Sequence, residues 1–384
     1  MTTVAVVIGT RPEAIKMAPV IHALRTFNDL SVRVVNTGQH RELLSGVLEV
    51  FGLKADVSLE VMKEGQSLAS LTSRALLAID AELSSQQRPD LVMVHGDTST
   101  AMAAGLAAFY QRIPVAHVEA GLRTRNLLAP FPEELNRQIL ARISDLNFAP
   151  TQRALENLQA ESVPSHKITM TGNTVVDSAS WVFKTYLSDD AWSRSEIQKL
   201  EHLSPLISSG RQYVLITLHR RENQGEAFVE ILCSIRDLAS KNQNIGFVFP
   251  VHPNPNIREL ARASLSGLEN VTLCEPLDYL EFSFLLQGCL FAISDSGGVQ
   301  EEGVTFNTPV LVAREDTERP EGLSSGLLHL VGSRREDILR IGQMLIDSAS
   351  IAPKSLNLES NPFGDGQASS RIAAAIHDFF GSRK

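Results

Sequence analysis

Cysteine is scarce in this sequence, and the three present, Cys233, Cys274 and Cys289, show no paired spacing. That argues against a disulfide framework and points to small buried thiols in a reducing compartment. No apolar stretch reaches the length of a membrane span. Met1-Thr2-Thr3 runs straight into an apolar strand, with no cationic leader and no cleavage site. The expected location is therefore the cytoplasm, with no membrane partner. Basic charge is not in excess either: 35 Lys and Arg stand against 44 Asp and Glu, a net charge of −9. A general nucleic-acid binder needs a basic face that displaces counterions, so that class is disfavoured, while a local basic pocket stays open.

Catalytic signatures are missing as well. Without His-Glu-x-x-His or Cys-x-x-Cys, no metal is expected. The first strand leads into Gly9-Thr10-Arg11-Pro12 instead of Gly-x-Gly-x-x-Gly, which argues against a nicotinamide cofactor. No Gly-Lys-Ser/Thr phosphate loop occurs, so nucleoside triphosphate hydrolysis is disfavoured.

What is present is an ordinary globular composition, 43% hydrophobic and 21% charged, in 384 residues. That length exceeds one typical core and predicts two domains. Short β-branched runs alternate with helical patterns. Val4–Ile8, Val32–Val35, Leu91–Val94, Val115–Val118 and Leu146–Phe148 read as strands, with helices such as Leu68–Leu83 and Thr100–Tyr110 between them. Unbroken apolar runs suit parallel strands covered on both faces. The rhythm breaks over residues 173 to 211, read as a helix and a polar connection. It resumes at Tyr213–Thr217, Gly246–Pro250, Val271–Cys274, Phe291–Ser294 and Val310–Val312. The expected fold is α/β, two Rossmann-like doubly wound domains facing a central cleft. The expected boundaries are 1–172 and 173–363, with a final helix at about 364–384 returning to the first domain.

The segment Leu290 to Glu302 carries the strongest chemical signal. It reads as a buried strand, a Ser296-Gly297-Gly298 turn and the first turn of a helix. Glycines admit close backbone approach, and free N–H groups at a helix start favour phosphate. A carboxylate one turn on, Glu302 or Glu301, suits sugar hydroxyls. Other polar clusters also fall at strand ends. Arg11 and Lys16 follow the first strand, where Arg suits phosphate. His95-Gly96-Asp97-Thr98 ends the third, His117-Val118-Glu119 the fourth, and Phe131 to Arg137 opens a helix. Asp97 also suits a helix cap, and Glu133 suits a first helical turn. Thr217 to Asn223 and Pro250 to Asn254 end strands of the second half and bring in His219 and His252.

These motifs together resemble the non-hydrolysing UDP-N-acetylglucosamine 2-epimerases over nearly the whole chain. The resemblance rests on Gly9 to Pro19, Gln39-His40-Arg41-Glu42, His117 to Thr124 and Phe131 to Arg137. It extends through Thr171-Gly172-Asn173-Thr174, Asp295 to Glu302 and Thr317-Glu318-Arg319-Pro320-Glu321. It implies the glycosyltransferase-B architecture, a homodimer and no cofactor. It also implies reversible conversion of UDP-GlcNAc to UDP-ManNAc, a precursor of cell-surface polysaccharides. Elimination of UDP would give 2-acetamidoglucal, and re-addition would complete inversion at carbon 2. By resemblance, Asp97, Glu119, Glu133, Arg137 and His219 are catalytic. Arg11, Lys16, His252, Ser296, Gly297, Gly298 and Glu302 bind the UDP-sugar, and Gln39, His40 and Gln66 form a regulatory site. Rival readings are a hydrolysing epimerase that releases ManNAc and UDP, a sugar transferase of the same architecture and a non-catalytic sensor. Three departures from the family pattern stand out. Arg125 replaces a common Gly, Gly303-Val304-Thr305-Phe306-Asn307 replaces Ala-Pro-Ser-Leu-Gly, and Glu315-Asp316 replaces Asp-Thr.

Overall fold

The computed structural model describes residues 1–38, 41–63, 65–85, 87–189, 195, 200, 210–218, 225–348 and 355–381. The chain divides into two compact units, Met1–Ser178 with Phe363–Lys384, and Ala179–Pro362.

The first unit is built on strands β1 (Thr2–Ile8), β2 (Leu30–Asn36), β3 (Val57–Ser58), β4 (Leu91–His95), β5 (Val115–Val118), β6 (Leu146–Ala149) and β7 (Ile168–Met170). They pair in the order β3-β2-β1-β4-β5-β6-β7, parallel throughout. Every residue of β4 is buried, as expected for a parallel strand with helices on both faces. The helices are α1 (Arg11–Leu24), α2 (Arg41–Val50), α3 (Leu68–Leu83), α4 (Ser99–Tyr110), α5 (Glu133–Ile143), α6 (Gln152–Ala160) and α7 (Thr174–Val182). Small residues let α4 pack closely: a Cβ on Gly105 would sit 2.5 Å from Leu140 Cδ2 of α5.

The second unit carries β8 (Tyr213–Thr217), β9 (Gly246–Pro250), β10 (Val271–Cys274), β11 (Ala292–Ser294), β12 (Val310–Val312) and β13 (Leu328–Leu330). Their order is β10-β9-β8-β11-β12-β13, again parallel. Helices α8 (Glu226–Lys241), α9 (Pro255–Leu265), α10 (Tyr279–Gly288), α11 (Gly297–Thr305) and α12 (Arg335–Asp347) cover it. Ile216, Phe247, Phe249 and Ile293 from the sheet pack with Ile231 and Ile235 of α8. The last helix, α13 (Ala368–Gly381), belongs to the first unit and packs on α1. Asp177 of α7 holds its start, accepting from Ala368 N at 3.2 Å and Ser369 N at 2.8 Å.

Both units are thus Rossmann-like, as the glycosyltransferase-B architecture requires. In each sheet the strand order reverses once, between β1 and β4 and between β8 and β11. Loops leaving such neighbours diverge, which opens a crevice at the strands' carboxyl ends. Gly9–Arg11 and Gly96–Asp97 flank the first reversal, and Ser294–Ser296 flanks the second. Among the described residues, no helix is long and apolar enough to cross a membrane.

Two of the departures from the family pattern fall where backbone or packing is special. Arg125 and Asn307 both hold left-handed backbone, with φ of 62° and 55°, so glycine suits either position. Asn tolerates this region better than other side chains do. Gly303 makes room for Val310, whose Cγ2 would lie 2.5 Å from an added Cβ.

Candidate active site

The β1–α1 turn is fixed by a capping box. Thr10 Oγ1 accepts from Glu13 N, and Glu13 Oε2 accepts from Gly9 N at 2.8 Å and Thr10 N at 2.7 Å. Pro12 follows Arg11 in the first turn, where its missing N–H costs no intrahelical bond. Arg11 is partly exposed, whereas Lys16 is buried and its ammonium pairs with Glu119.

After β4, Gly96 turns the chain with φ 67°, and Thr98 caps α4 by accepting from Ala101 N at 3.0 Å. Asp97 is therefore not the cap. Its carboxylate pairs with Arg137, and its carbonyl accepts from Asn136 Nδ2 at 2.8 Å. After β5, Glu119 sits in left-handed backbone with φ 63°. His95 Nε2 lies 3.7 Å from Glu119 Oε2, and Asn173 Nδ2 donates to Glu119 Oε1 at 3.4 Å. Glu133 opens α5, and its Oε2 is buried with no hydrogen-bond partner among the described residues. One residue on, Glu134 accepts from Arg137 Nη2 at 2.8 Å and from Thr124 N at 3.0 Å. The first unit thereby brings together Asp97, Glu119, Glu133, Arg137 and Lys16 of the residues named from sequence.

Their charges do not titrate alike. Burial raises the Asp97 carboxyl above its ordinary range. The Arg137 guanidinium opposes this, and the negative charges of Glu119 and Glu133 reinforce it. Asp97 keeps 30% side-chain exposure, so a ligand can reach it. Burial also tends to raise Glu134, but donation from Thr124 and Arg137 brings it net below the usual value. Burial works against the Arg137 cation, yet Asp97 and Glu134 hold it charged.

His117 plays a supporting part. Burial pushes its pKa down from 6.5 to about 4, so the ring is neutral near pH 7. Its Nε2 lies 2.7 Å from the Gly96 carbonyl, which can only accept, so Nε2 carries the proton. The imidazole thus steadies the turn that bears Asp97. At pH well above 6.5 both folded and unfolded forms are neutral at this position. Below that, the unfolded chain takes up the proton first, and stability falls until about pH 4. The expected loss is about 2 kcal/mol between roughly pH 8 and pH 5. Urea midpoints of His117→Gln should lack this component. Parallel wild-type and variant profiles would refute it.

In the second unit, Ser296 precedes α11 without making a side-chain capping bond. The first-turn N–H groups therefore lack that partner, as suits an anion. The two glycines differ. A Cβ on Gly297 would lie 2.7 Å from both Cζ and Nη1 of Arg319, so the Arg319 guanidinium occupies that space. A Cβ on Gly298 would meet only Ser296 Oγ, at 4.0 Å, which leaves its face open. Arg319 also donates to Glu301 Oε1 at 2.6 Å, and Thr317 Oγ1 donates to Gln300 Oε1 at 2.7 Å. The Thr317–Arg319 segment thus braces α11, and Glu301 is engaged by the brace. Glu302, the neighbouring candidate, is buried.

His252 is exposed after β9, with Nδ1 accepting from Asn254 N at 3.2 Å. Gln66 lies beside Met62, which lines a pocket with Asn36, Gly38, Ser58, Leu59 and Glu60. Gln39, His40 and His219 lie outside the described residues.

Residues 22–377 match the sequence profile of the UDP-N-acetylglucosamine 2-epimerases. The chain belongs to this family. The UDP-N-acetylglucosamine 2-epimerase of Neisseria meningitidis serogroup A is 45% identical over 374 residues, covering 97% of this chain and 98% of the relative. A crystal structure of the UDP-GlcNAc 2-epimerase from Neisseria meningitidis bound to UDP-GlcNAc has a TM-score of 0.89 at 43% identity, covering 98% of this chain and 100% of that chain. That of the Methanocaldococcus jannaschii UDP-GlcNAc 2-epimerase in complex with UDP-GlcNAc and UDP has a TM-score of 0.83 at 30% identity, with the same coverage.

Sequence reasoning passed over several residues of this epimerase-family site. Glu13, Glu134, Asn136, Asn173 and Arg319 each stand inside a motif that carried the resemblance, without being assigned a role. Glu13 alone left a readable sign, three residues after Thr10 in the spacing of a capping box.

Proposed function

We propose that the protein interconverts UDP-GlcNAc and UDP-ManNAc without net hydrolysis. The observation that carries this reading is the grouping of Asp97, Glu119 and Glu133, with Asp97 raised by burial and by its two neighbours. The proton on sugar carbon 2 has no adjacent carbonyl, so direct removal is too hard. It becomes accessible if UDP leaves carbon 1 as a carboxylate takes the proton, giving 2-acetamidoglucal. UDP then adds back as a proton arrives on the opposite face.

This chemistry needs proton-transfer groups, a stabilised leaving diphosphate and exclusion of water from the glycal. Asp97, Glu119, Glu133 and His219 are assigned to proton transfer, with Arg137 holding Asp97. Arg11 and the N–H groups at Ser296-Gly297-Gly298 are assigned to the diphosphate. Glu302, in α11 after the Ser296-Gly297-Gly298 turn, is assigned to the ribose. His252 is assigned to the nucleotide. Lys16 serves the same site through its pairing with Glu119. Gln39, His40 and Gln66 are assigned to a regulatory site that takes a second UDP-GlcNAc. The working form in this reading is a cytoplasmic homodimer that supplies surface polysaccharide precursors.

The test is one NMR time course of UDP-GlcNAc in deuterated buffer, with no acceptor added. Deuterium should enter carbon 2 of both UDP-sugars while free UDP stays at trace level. Unlabelled product sinks the mechanism. UDP and ManNAc accumulating with turnover would establish the hydrolysing reaction instead, and no turnover without an acceptor would favour a transferase.

A further inference from the structure

We infer that Glu13 and Thr98 are positioning residues for Asp97, linked by a partly buried side-chain bridge that joins the β1–α1 and β4–α4 turns. The inference rests on the reading of Asp97 as a proton-transfer group.

A glutamate in a capping box ordinarily serves its own helix. Glu13 does that with one oxygen, Oε2, through Gly9 N and Thr10 N. Its other oxygen, Oε1, accepts from Thr98 Oγ1 at 2.7 Å, across 85 residues of sequence. Glu13 is only 2% exposed, so its end of the bond is sheltered from water. The Thr98 hydroxyl has one proton; with that proton on Glu13 Oε1, the Thr100 hydroxyl 3.0 Å away donates to Thr98. A lone pair of the same oxygen accepts Ala101 N at 3.0 Å and so caps α4. With both directions used, the backbone at 97–98 has one favoured setting.

The rest of the local geometry converges on Asp97. Asn136 Nδ2 holds its carbonyl at 2.8 Å, and Arg137 holds its carboxylate. Both come from α5, whereas Glu13 comes from α1. The turn that bears the carboxylate is thus held from two helices, α1 through Thr98 and α5 through Asn136 and Arg137. Arg11 precedes Glu13 on α1 and Lys16 follows it, so the bridge also sets the spacing between the phosphate-side turn and Asp97. Proton transfer is sensitive to such placement, and a shift of about 1 Å costs on the order of a hundredfold.

The experiment compares Thr98→Val, Thr98→Ser and Asp97→Asn, singly and with Asp97→Asn added to Thr98→Val, using UDP-GlcNAc turnover. Thr98→Val keeps shape but has no hydroxyl. Its kcat should fall by about tenfold to a hundredfold, with KM nearly unchanged and the acid limb of the pH profile displaced. Thr98→Ser restores the proton donor and the cap, so it should recover most of that loss. It also guards against a Val variant that merely folds poorly. In the double variant, Thr98→Val should add almost nothing to the loss from Asp97→Asn, because it acts through that carboxylate. The bridge is refuted as a positioning device if Val matches wild type in kcat and pH profile, if Ser is no better than Val, or if the two losses multiply. Wild-type turnover in Asp97→Asn would instead overturn the assignment of Asp97, and the bridge's role with it.

Discussion

Asp97→Asn should lower turnover of UDP-GlcNAc by about a hundredfold to ten-thousandfold, the usual range for loss of a positioned acid or base. The amide keeps the size of the carboxylate and can still accept from Arg137. It cannot take or release a proton. Arg137 retains Glu134, which accepts from its Nε at 3.1 Å and its Nη2 at 2.8 Å, so the change should not unfold the unit. UDP is proposed to bind at the α11 start, and its affinity, read by calorimetric titration, should stay within a few-fold. Glu119→Gln should give a loss of the same order. It would also disturb Lys16, whose ammonium pairs with this carboxylate. An Asp97→Asn enzyme retaining kcat within a factor of about ten would be incompatible with general acid–base catalysis by this residue.

Gly121→Ala should strongly destabilise the first unit, although Gly121 lies between residues of the family motif that runs from His117 to Thr124. Its φ is 94°, where a side chain is strained before any neighbour is met. An added Cβ would sit 2.2 Å from Ala154 O and 2.8 Å from the carbonyl carbon of that residue. Both are backbone atoms of α6, so no side chain can swing aside. The helix is held in place as well, because Asn157 Nδ2 donates to the Gly121 carbonyl at 3.0 Å. The combined strain and overlap should cost about 3 kcal/mol or more, a large part of the roughly 5–15 kcal/mol that holds a domain together. Gly52→Ala is the control: its φ is 64°, but nothing lies within 4 Å of the added Cβ. Urea midpoints read the difference. Equal shifts for the two variants would show that contact with α6 contributes nothing.

Strands were legible where they are long and buried on both faces. Val4–Ile8 and Leu91–Val94 lie within β1 and β4, and Tyr213–Thr217 coincides with β8. The short β3, β7 and β13 were not legible. They have two or three residues, none has all its residues buried, and β3 and β7 lie at opposite edges of one sheet. Candidate residues at strand ends were readable because parallel strands deliver their loops to one side. Their partners were not. Nothing in the local sequence says that Glu13 meets Thr98 or that Lys16 meets Glu119. The Ser296-Gly297-Gly298 turn shows the limit most clearly. Both glycines read as room for a ligand, yet Arg319 fills the space over Gly297 and only Gly298 faces open space.

The left-handed backbone of Glu119 bears on how this protein can change over time. A glycine or asparagine there would relax about 1–2 kcal/mol of strain, so selection for heat resistance alone favours losing the carboxylate. Lys16 opposes that drift. With the two side chains only 7% and 10% exposed, removing Glu119 strands a buried ammonium without this carboxylate. Breaking such a pair typically costs about 3–5 kcal/mol, more than the strain returns. Single substitutions at 119 are therefore expected to lose more stability than they gain, even where activity is not under selection. A change that also discharges position 16 avoids that cost, so the two positions are expected to change together.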